Sequence, residues 1–421
     1  MKQLFREVSW ASAGQVINVA VALLTLKVWA VYLTPAELGL MAIIISTASI
    51  LAGIVVDPVV RAMLVRYSIY AEAGKEKEFR VVCLAVITRA AVMCVFAIVL
   101  IVVPVCHLLD LHWSTPLLVT GLFVIDARRC FEQTLLAAGR NQHSVAMVSV
   151  GDVSIRLIFL WLFLEGLGTS AYVAVAGNLF GALIVLTSLL VMTRSSASLG
   201  ASSIDRDARE KISKEILQIA WPIVPSNIFA NVSEMSSRYI ITAMLSLHHA
   251  GAFVAAYGLV KRPFGMLSDI GYVTMLPAYV EAIAKNNSHE AGRIKFIWLF
   301  SIISLSFIGA ALFYALGDLI TAVLLSEKYA IVSDYLFSIG IVISIFNVIA
   351  VLNGILLAHG SSRSILIGNA MSAVLSVVML FALIPLYGLH GCVWAIGISY
   401  LLQFALLLVI FLRHNWRKII I

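Results

Sequence analysis

Charge is scarce in this sequence: Asp, Glu, Lys and Arg make up 12% of its 421 residues, about half the share of a soluble domain. That shortage excludes a disordered chain and an ordinary soluble enzyme. Cysteine is thin too. The five cysteines form no CxxC pair, so neither a disulfide framework nor a zinc knuckle is expected. Cys106 falls in a loop, while Cys83, Cys94, Cys130 and Cys392 fall in apolar runs, where a thiol behaves as a small hydrophobe. The nine histidines are scattered, and the adjacent His248 and His249 are poorly spaced for one metal, so no metal centre is expected. No G-x-x-x-x-G-K-[ST] run occurs, which leaves no phosphate loop for ATP.

What the chain has instead is apolar length, with 62% of residues hydrophobic. Runs such as 92–105 and 294–316 are continuous rather than alternating, which favours helices over a barrel. About 20 apolar residues make a span, and the chain divides into twelve: 8–33, 38–60, 81–103, 116–137, 145–164, 171–192, 216–245, 251–280, 296–316, 332–357, 364–385 and 391–412. The first span is too long for a signal-peptide core and lacks a small-residue cleavage site, so it is expected to stay as an anchor. The fold class is an all-α polytopic membrane protein.

The net charge of +7 suits a nucleic-acid binder until its placement is read. With the N-terminus inside, twenty of the 29 Lys and Arg residues fall in inside segments, eight within spans, and Lys328 alone outside. Such a bias sets orientation. Both termini are expected in the cytoplasm, and no nucleic-acid partner is expected.

The halves repeat. At an offset of 211, Trp10 matches Trp221 and Lys27 matches Arg238; at 212, Gly39 matches Gly251, Asp57 matches Asp269, and Met63-Leu64 matches Met275-Leu276. The turn 166–168 matches 388–391. The reading is a six-helix bundle over 1–192, a cytoplasmic linker over 193–215 and a second six-helix bundle over 216–421. Both halves begin and end on the same side, so the repeats are parallel.

Three stretches carry a family likeness: Ser9-Trp10-Ala11-Ser12-Ala13-Gly14-Gln15 opening the first span, Tyr32-Leu33-Thr34-Pro35-Ala36-Glu37-Leu38-Gly39-Leu40 at the first turn, and Asp57-Pro58 late in the second span. With the 6+6 layout, the chain resembles the polysaccharide (O-antigen and exopolysaccharide repeat-unit) flippase branch of the multidrug/oligosaccharidyl-lipid/polysaccharide exporter superfamily. The resemblance implies two halves in a V around a central cavity, lined mainly by the first, second, seventh and eighth spans. It implies transport of an undecaprenyl-pyrophosphate-linked oligosaccharide across the bacterial inner membrane in lipopolysaccharide biosynthesis, among membrane lipids and polysaccharide assembly partners.

Eight cations lie within spans: Lys27, Arg89, Arg128, Arg129, Arg156, Arg238, Lys261 and Arg262. A charge at a helix centre costs about 2.5–3.5 kcal/mol on the insertion scale, so each must face protein, water or ligand. Several have an acid at helical spacing: Arg128 with Glu132, Arg129 with Asp126, Arg156 with Asp152 and Arg238 with Glu234. These read either as structural pairs or as a cationic cavity. Lys27, Arg89, Lys261 and Arg262 have no such acid, and need a partner on another helix, Asp269 among them, or an anionic ligand. Arg89 also reads as a side chain reaching for the inner surface. Asp57, Asp269, Glu132 and Glu234 are the candidates for H⁺ or Na⁺ coupling or gating; for Asp57 the competing reading is a helix-end salt bridge to Arg61.

Eight cations against six intramembrane acids leave a positive interior. A pyrophosphate diester carries two negative charges and suits Lys and Arg. No resident cofactor is expected. The alternative within the superfamily is a cation-coupled multidrug antiporter, which would want an acidic cavity. A membrane enzyme lacks both a large outside loop and a mid-span histidine. Gly177 and Gly181 are expected to bring two helices close, and Pro58, Pro222, Pro225 and Pro263 to kink theirs.

Overall fold

The computed structural model describes residues 2–108, 112–139, 142–193, 206–285, 287–359 and 361–419. Arg140, Arg194, Gly360 and the linker residues 195–205 lie outside the described residues, as do the side chains of Trp10 and Cys106. Among the described residues there are thirteen α-helices and no strand. They are α1 (Lys2–Tyr32), α2 (Pro35–Val55), α3 (Asp57–Glu72), α4 (Glu76–Leu108), α5 (Thr115–Ala138), α6 (Gln142–Leu167) and α7 (Ala171–Thr193). After them come α8 (Arg206–Ala220), α9 (Ile223–Met244), α10 (Leu247–Ala284), α11 (Ser288–Leu324), α12 (Ser333–Ala358) and α13 (Ser362–Ile419).

Eight helical stretches are long and apolar enough to cross a membrane. One of them, Ser362–Leu412, runs to 51 residues, roughly 76 Å at helical rise and far beyond one bilayer. It reverses at Gly388, whose φ of 58° lies in the left-handed region, the conformation glycine tolerates. A Cβ on Gly391 would lie 2.2 Å from the Leu383 carbonyl oxygen, so the two arms fold back tightly there. Split at that point, α13 holds the eleventh and twelfth spans. The long helices missing from the apolar set are α5, α9 and α10. They are the polar ones: α5 carries Asp126, Arg128, Arg129 and Glu132; α9 carries Glu234 and Arg238 together with Asn227, Asn231 and four serines; α10 carries Lys261, Arg262 and Asp269.

Two boundaries differ from the sequence reading. The second span is not one helix: α2 ends at Val55, and α3 starts at Asp57 with Pro58 in its first turn, where a missing N–H costs nothing. The seventh span begins at Ile223 rather than 216, because Pro222 stops the preceding helix. That helix, α8, buries Ile212, Ile216 and Ala220 and occupies most of the described linker. Pro225 lands in the first turn of α9 instead of its interior, and α10 runs through Pro263 and Pro277 as helix.

Contacts group the chain into two compact units: Met1–Ala42 with Phe229–Ile421, and Ile43–Ile228. These are not the two sequence halves, since α1 keeps company with the C-terminal helices. The reason is local. The last carbonyls of a helix have no intrahelical partner. Here Ser326 donates to Ala30 O (2.7 Å), Lys328 to Val31 O (3.0 Å) and Tyr329 to Leu33 O (3.3 Å). Next to them the repeat-matched glycines meet: a Cβ on Gly251 would lie 1.7 Å from Pro35 O, and one on Gly39 2.2 Å from Leu247 O.

Within the first unit, Trp298, Tyr279, Ile302, Val351 and Ile355 form a buried cluster joining α10, α11 and α12. Within the second, α6 and α7 approach backbone to backbone at the expected glycines. A Cβ on Gly177 would lie 2.9 Å from Phe159 O, and one on Gly181 2.8 Å from the Arg156 Cα.

Candidate functional site

In the second unit four arginines, Arg80, Arg128, Arg129 and Arg156, close on three carboxylates, Asp126, Glu132 and Asp152. Glu132 is fully buried and holds two guanidiniums: Arg128 at 2.6 Å, one turn back on α5, and Arg80 at 2.9 Å, from α4. Arg80 also donates to the Thr193 carbonyl at the end of α7 (3.1 Å), so one side chain ties three helices. Farther along α5, Asp126 takes Arg129 at 3.2 Å and also takes Arg156 of α6. Asp152 takes Arg129 and Arg156, both at 2.8 Å. The close approach of α7 brings Asn178 Oδ1 to Arg156 (2.8 Å), and Gln133 completes Arg129 (3.1 Å). Each of the three acids serves two arginines. Four guanidiniums against three carboxylates leave one net positive charge in this network.

The first unit is arranged differently. Lys261 of α10 pairs with Glu234 of α9 and lies 5.6 Å from the centre of the Tyr257 ring. Its neighbour Arg262 donates to the carbonyl of Ala22 on α1 and sits 5.6 Å over the ring of Trp29. Arg238, one turn beyond Glu234 on α9, acts electrostatically on the buried Tyr257, whose hydroxyl is hydrogen-bonded to Tyr400 of α13. Lys27 is exposed on α1, between the exposed Leu24 and Val31, with no ion-pair partner among the described residues. Asp269 is exposed two turns beyond Lys261, which reaches it electrostatically without an ion pair. Lys27, Arg238, Lys261 and Arg262 against Glu234 and Asp269 leave two net positive charges on α1, α9 and α10.

The placements sort the expected residues. Arg128, Arg129 and Arg156 are in the pairs their spacing indicated, and Arg129 and Arg156 each gain a second carboxylate from the network. Glu234, spaced for Arg238 on its own helix, forms an ion pair with Lys261 of α10. Arg89 is exposed on α4, without an ion pair among the described residues. Asp57 sits in the first turn of α3, where the helix N-terminus favours an anion; Arg61 acts on it electrostatically, but the two do not close to an ion pair. Sequence reasoning missed Arg80, which it assigned to a cytoplasmic segment, and Asn178. The second had a signal, a carboxamide in the middle of the apolar α7. No described group of three or more His, Cys, Asp or Glu could hold a metal ion.

This is the geometry of a polytopic protein whose intramembrane charges pair largely with one another across helices. The polysaccharide biosynthesis protein family matches residues 4–282, well over half of the chain. The chain belongs to this family. No curated protein matches it. Among solved structures, it is similar to a multidrug resistance MATE family transporter of the MOP superfamily in its inward-facing conformation. The TM-score is 0.76 at 12% identity, over 96% of this chain and 98% of that one. The lipid II flippase MurJ, in an inward closed conformation, matches with a TM-score of 0.69 at 12% identity, over 95% of this chain and 86% of that one. A MOP superfamily transporter from Pyrococcus furiosus, described as having a binding pocket of reverse polarity, matches with a TM-score of 0.66 at 13% identity, over 96% and 95%. Identities this low speak for the fold alone. The chain is therefore a multi-pass membrane protein with the fold of the MOP-superfamily transporters.

Proposed function

We infer that the protein is a flippase. It moves an undecaprenyl-pyrophosphate-linked oligosaccharide from the inner to the outer leaflet of the bacterial inner membrane by alternating access. Both termini are cytoplasmic in this reading, with the repeated bundles at 1–192 and 216–421 joined through 193–215. The observation that carries it is the excess of positive charge on α1, α9 and α10, with Lys27 exposed and without an ion-pair partner among the described residues. A cation exporter has no use for that excess; a pyrophosphate diester does. The membership in a polysaccharide biosynthesis family points the same way. A drug antiporter shares the fold, as the MATE match illustrates, but it would need this charge reversed.

Substrate phosphate would meet Lys27, Arg238, Lys261 and Arg262, and the isoprenoid would stay in lipid while the glycan crosses. Arg80, Arg128, Arg129 and Arg156 of the second unit are already held by carboxylates and serve it as structure. Energy comes from an ion gradient, H⁺ or Na⁺, or from the potential itself. Two negative charges leaving a cell across 100 mV release roughly 4.6 kcal/mol. The test neutralises the repeat-matched cations. Lys27→Ala with Arg238→Ala, reconstituted at normal yield, should lose most transport of a labelled lipid-linked oligosaccharide. Undiminished transport would remove these cations from the site.

A further inference from the structure

Resting on that reading, we propose that Glu234 is a built-in stand-in for the substrate's phosphate: it occupies Lys261 in the empty carrier and yields it when the anion arrives. The contrast within the molecule argues for this. In the second unit Asp126, Glu132 and Asp152 are each gripped by two guanidiniums, and Glu132 has no exposure at all. Glu234 has Lys261 as its ion-pair partner, and the pair spans two helices rather than one turn. Both side chains are reachable, 27% exposed for Glu234 and 32% for Lys261. An ammonium is a compact charge with three rotatable donors on a flexible stem, whereas a guanidinium fork is locked to its partner. The pair is therefore built to exchange.

The surroundings fit an exchange. Arg262 is turned toward the Ala22 carbonyl and the Trp29 ring, which leaves Lys261 as the movable cation of that adjacent pair. Beneath it, Tyr257 and Tyr400 are buried and hydrogen-bonded to each other, a floor that does not compete for the ammonium. When phosphate enters, the Lys261 Nζ leaves the Glu234 carboxylate and bonds a phosphate oxygen, and the carboxylate turns to solvent. When the substrate departs, Glu234 reclaims Lys261 and opposes rebinding. A carrier must hold its cargo and then let it go, and an internal competitor sets that balance. Apparent affinity falls by the fraction of carriers in which Lys261 is free.

The experiment measures binding of a short isoprenyl-pyrophosphoryl disaccharide to the full-length protein in detergent at fixed ionic strength. Glu234→Gln should tighten binding about tenfold, because the competitor is gone while the cation stays. Lys261→Met should weaken it. In the Lys261→Met background, adding Glu234→Gln should change affinity little, and this double variant, with no charge left unpaired, guards against misfolding of the single ones. Equal or weaker binding by Glu234→Gln overturns the proposal, as does an additive double variant. Phosphatidylglycerol micelles form the second arm: the same Glu234→Gln response to that lipid would assign the exchange to bulk lipid phosphate and overturn it too. No binding by the wild type would instead remove the flippase reading on which the proposal stands.

Discussion

Replacing Glu132 with alanine removes the one anion shared by Arg80 and Arg128. The carboxylate is fully buried, with contacts of 2.9 and 2.6 Å to the two guanidiniums. Removing one partner of a buried ion pair costs about 3–5 kcal/mol, because the other charge is left without compensation. Arg128 is 26% exposed and can turn partly to water; Arg80 is 12% exposed and also holds the α7 carbonyl, so it cannot. The loss should therefore sit near the lower end, about 3 kcal/mol, borne by the α4–α5–α7 junction. Reversible unfolding of the purified protein in bicelles measures it. Glu132→Leu with Arg80→Leu should recover much of the loss, since replacing a buried pair with apolar side chains is often neutral. A change under about 1 kcal/mol in Glu132→Ala would refute the reasoning and return Glu132 to the coupling candidates.

Other outcomes follow from the same structure. Gly251→Ala would drive a methyl into the Pro35 carbonyl, 1.7 Å away; the turns must part, and unfolding should show a loss of about 1–3 kcal/mol. Trp298→Ala would empty the centre of the α10–α11–α12 cluster and should cost about 3–5 kcal/mol in the same measurement. Tyr70 of α3 donates to Glu215 of α8 at 3.1 Å. Burial first, and then that bond, raise its pKa above the ordinary 10.0. The raised folded value means its contribution is complete below the ordinary pKa and lost as pH climbs through the folded one. Thermal stability should fall on that alkaline limb, and less steeply in Tyr70→Phe.

What could be read in advance follows from distance along the chain. Arg128–Glu132, Arg129–Asp126 and Arg156–Asp152 were legible because both partners lie within one helical turn. Lys261–Glu234, Arg262–Ala22 and Arg80–Glu132 lie 27, 240 and 52 residues apart, and no local pattern announces such contacts. The same limit explains Glu234: its nearest cation in sequence is Arg238, but α10 packs a closer one against it. Spans were legible from apolar length, and the reversal at Gly388 from the glycines around it. Helix α8 was not seen, although Ile212, Ile216 and Ala220 repeat every four residues, because its charged remainder reads as linker. The grouping of α1 with the C-terminal helices was beyond reach, since it depends on Ser326, Lys328 and Tyr329 finding the carbonyls of α1.

The most direct test of the central claim is transport in proteoliposomes. A labelled undecaprenyl-pyrophosphate oligosaccharide is placed in one leaflet, the potential is set with a potassium ionophore, and arrival in the opposite leaflet is followed. The account predicts transfer that quickens when the receiving side is positive and that drops when Lys27 and Arg238 are both alanine. Failure to move any of several pyrophosphate-linked glycans, together with transport of organic cations, would contradict it.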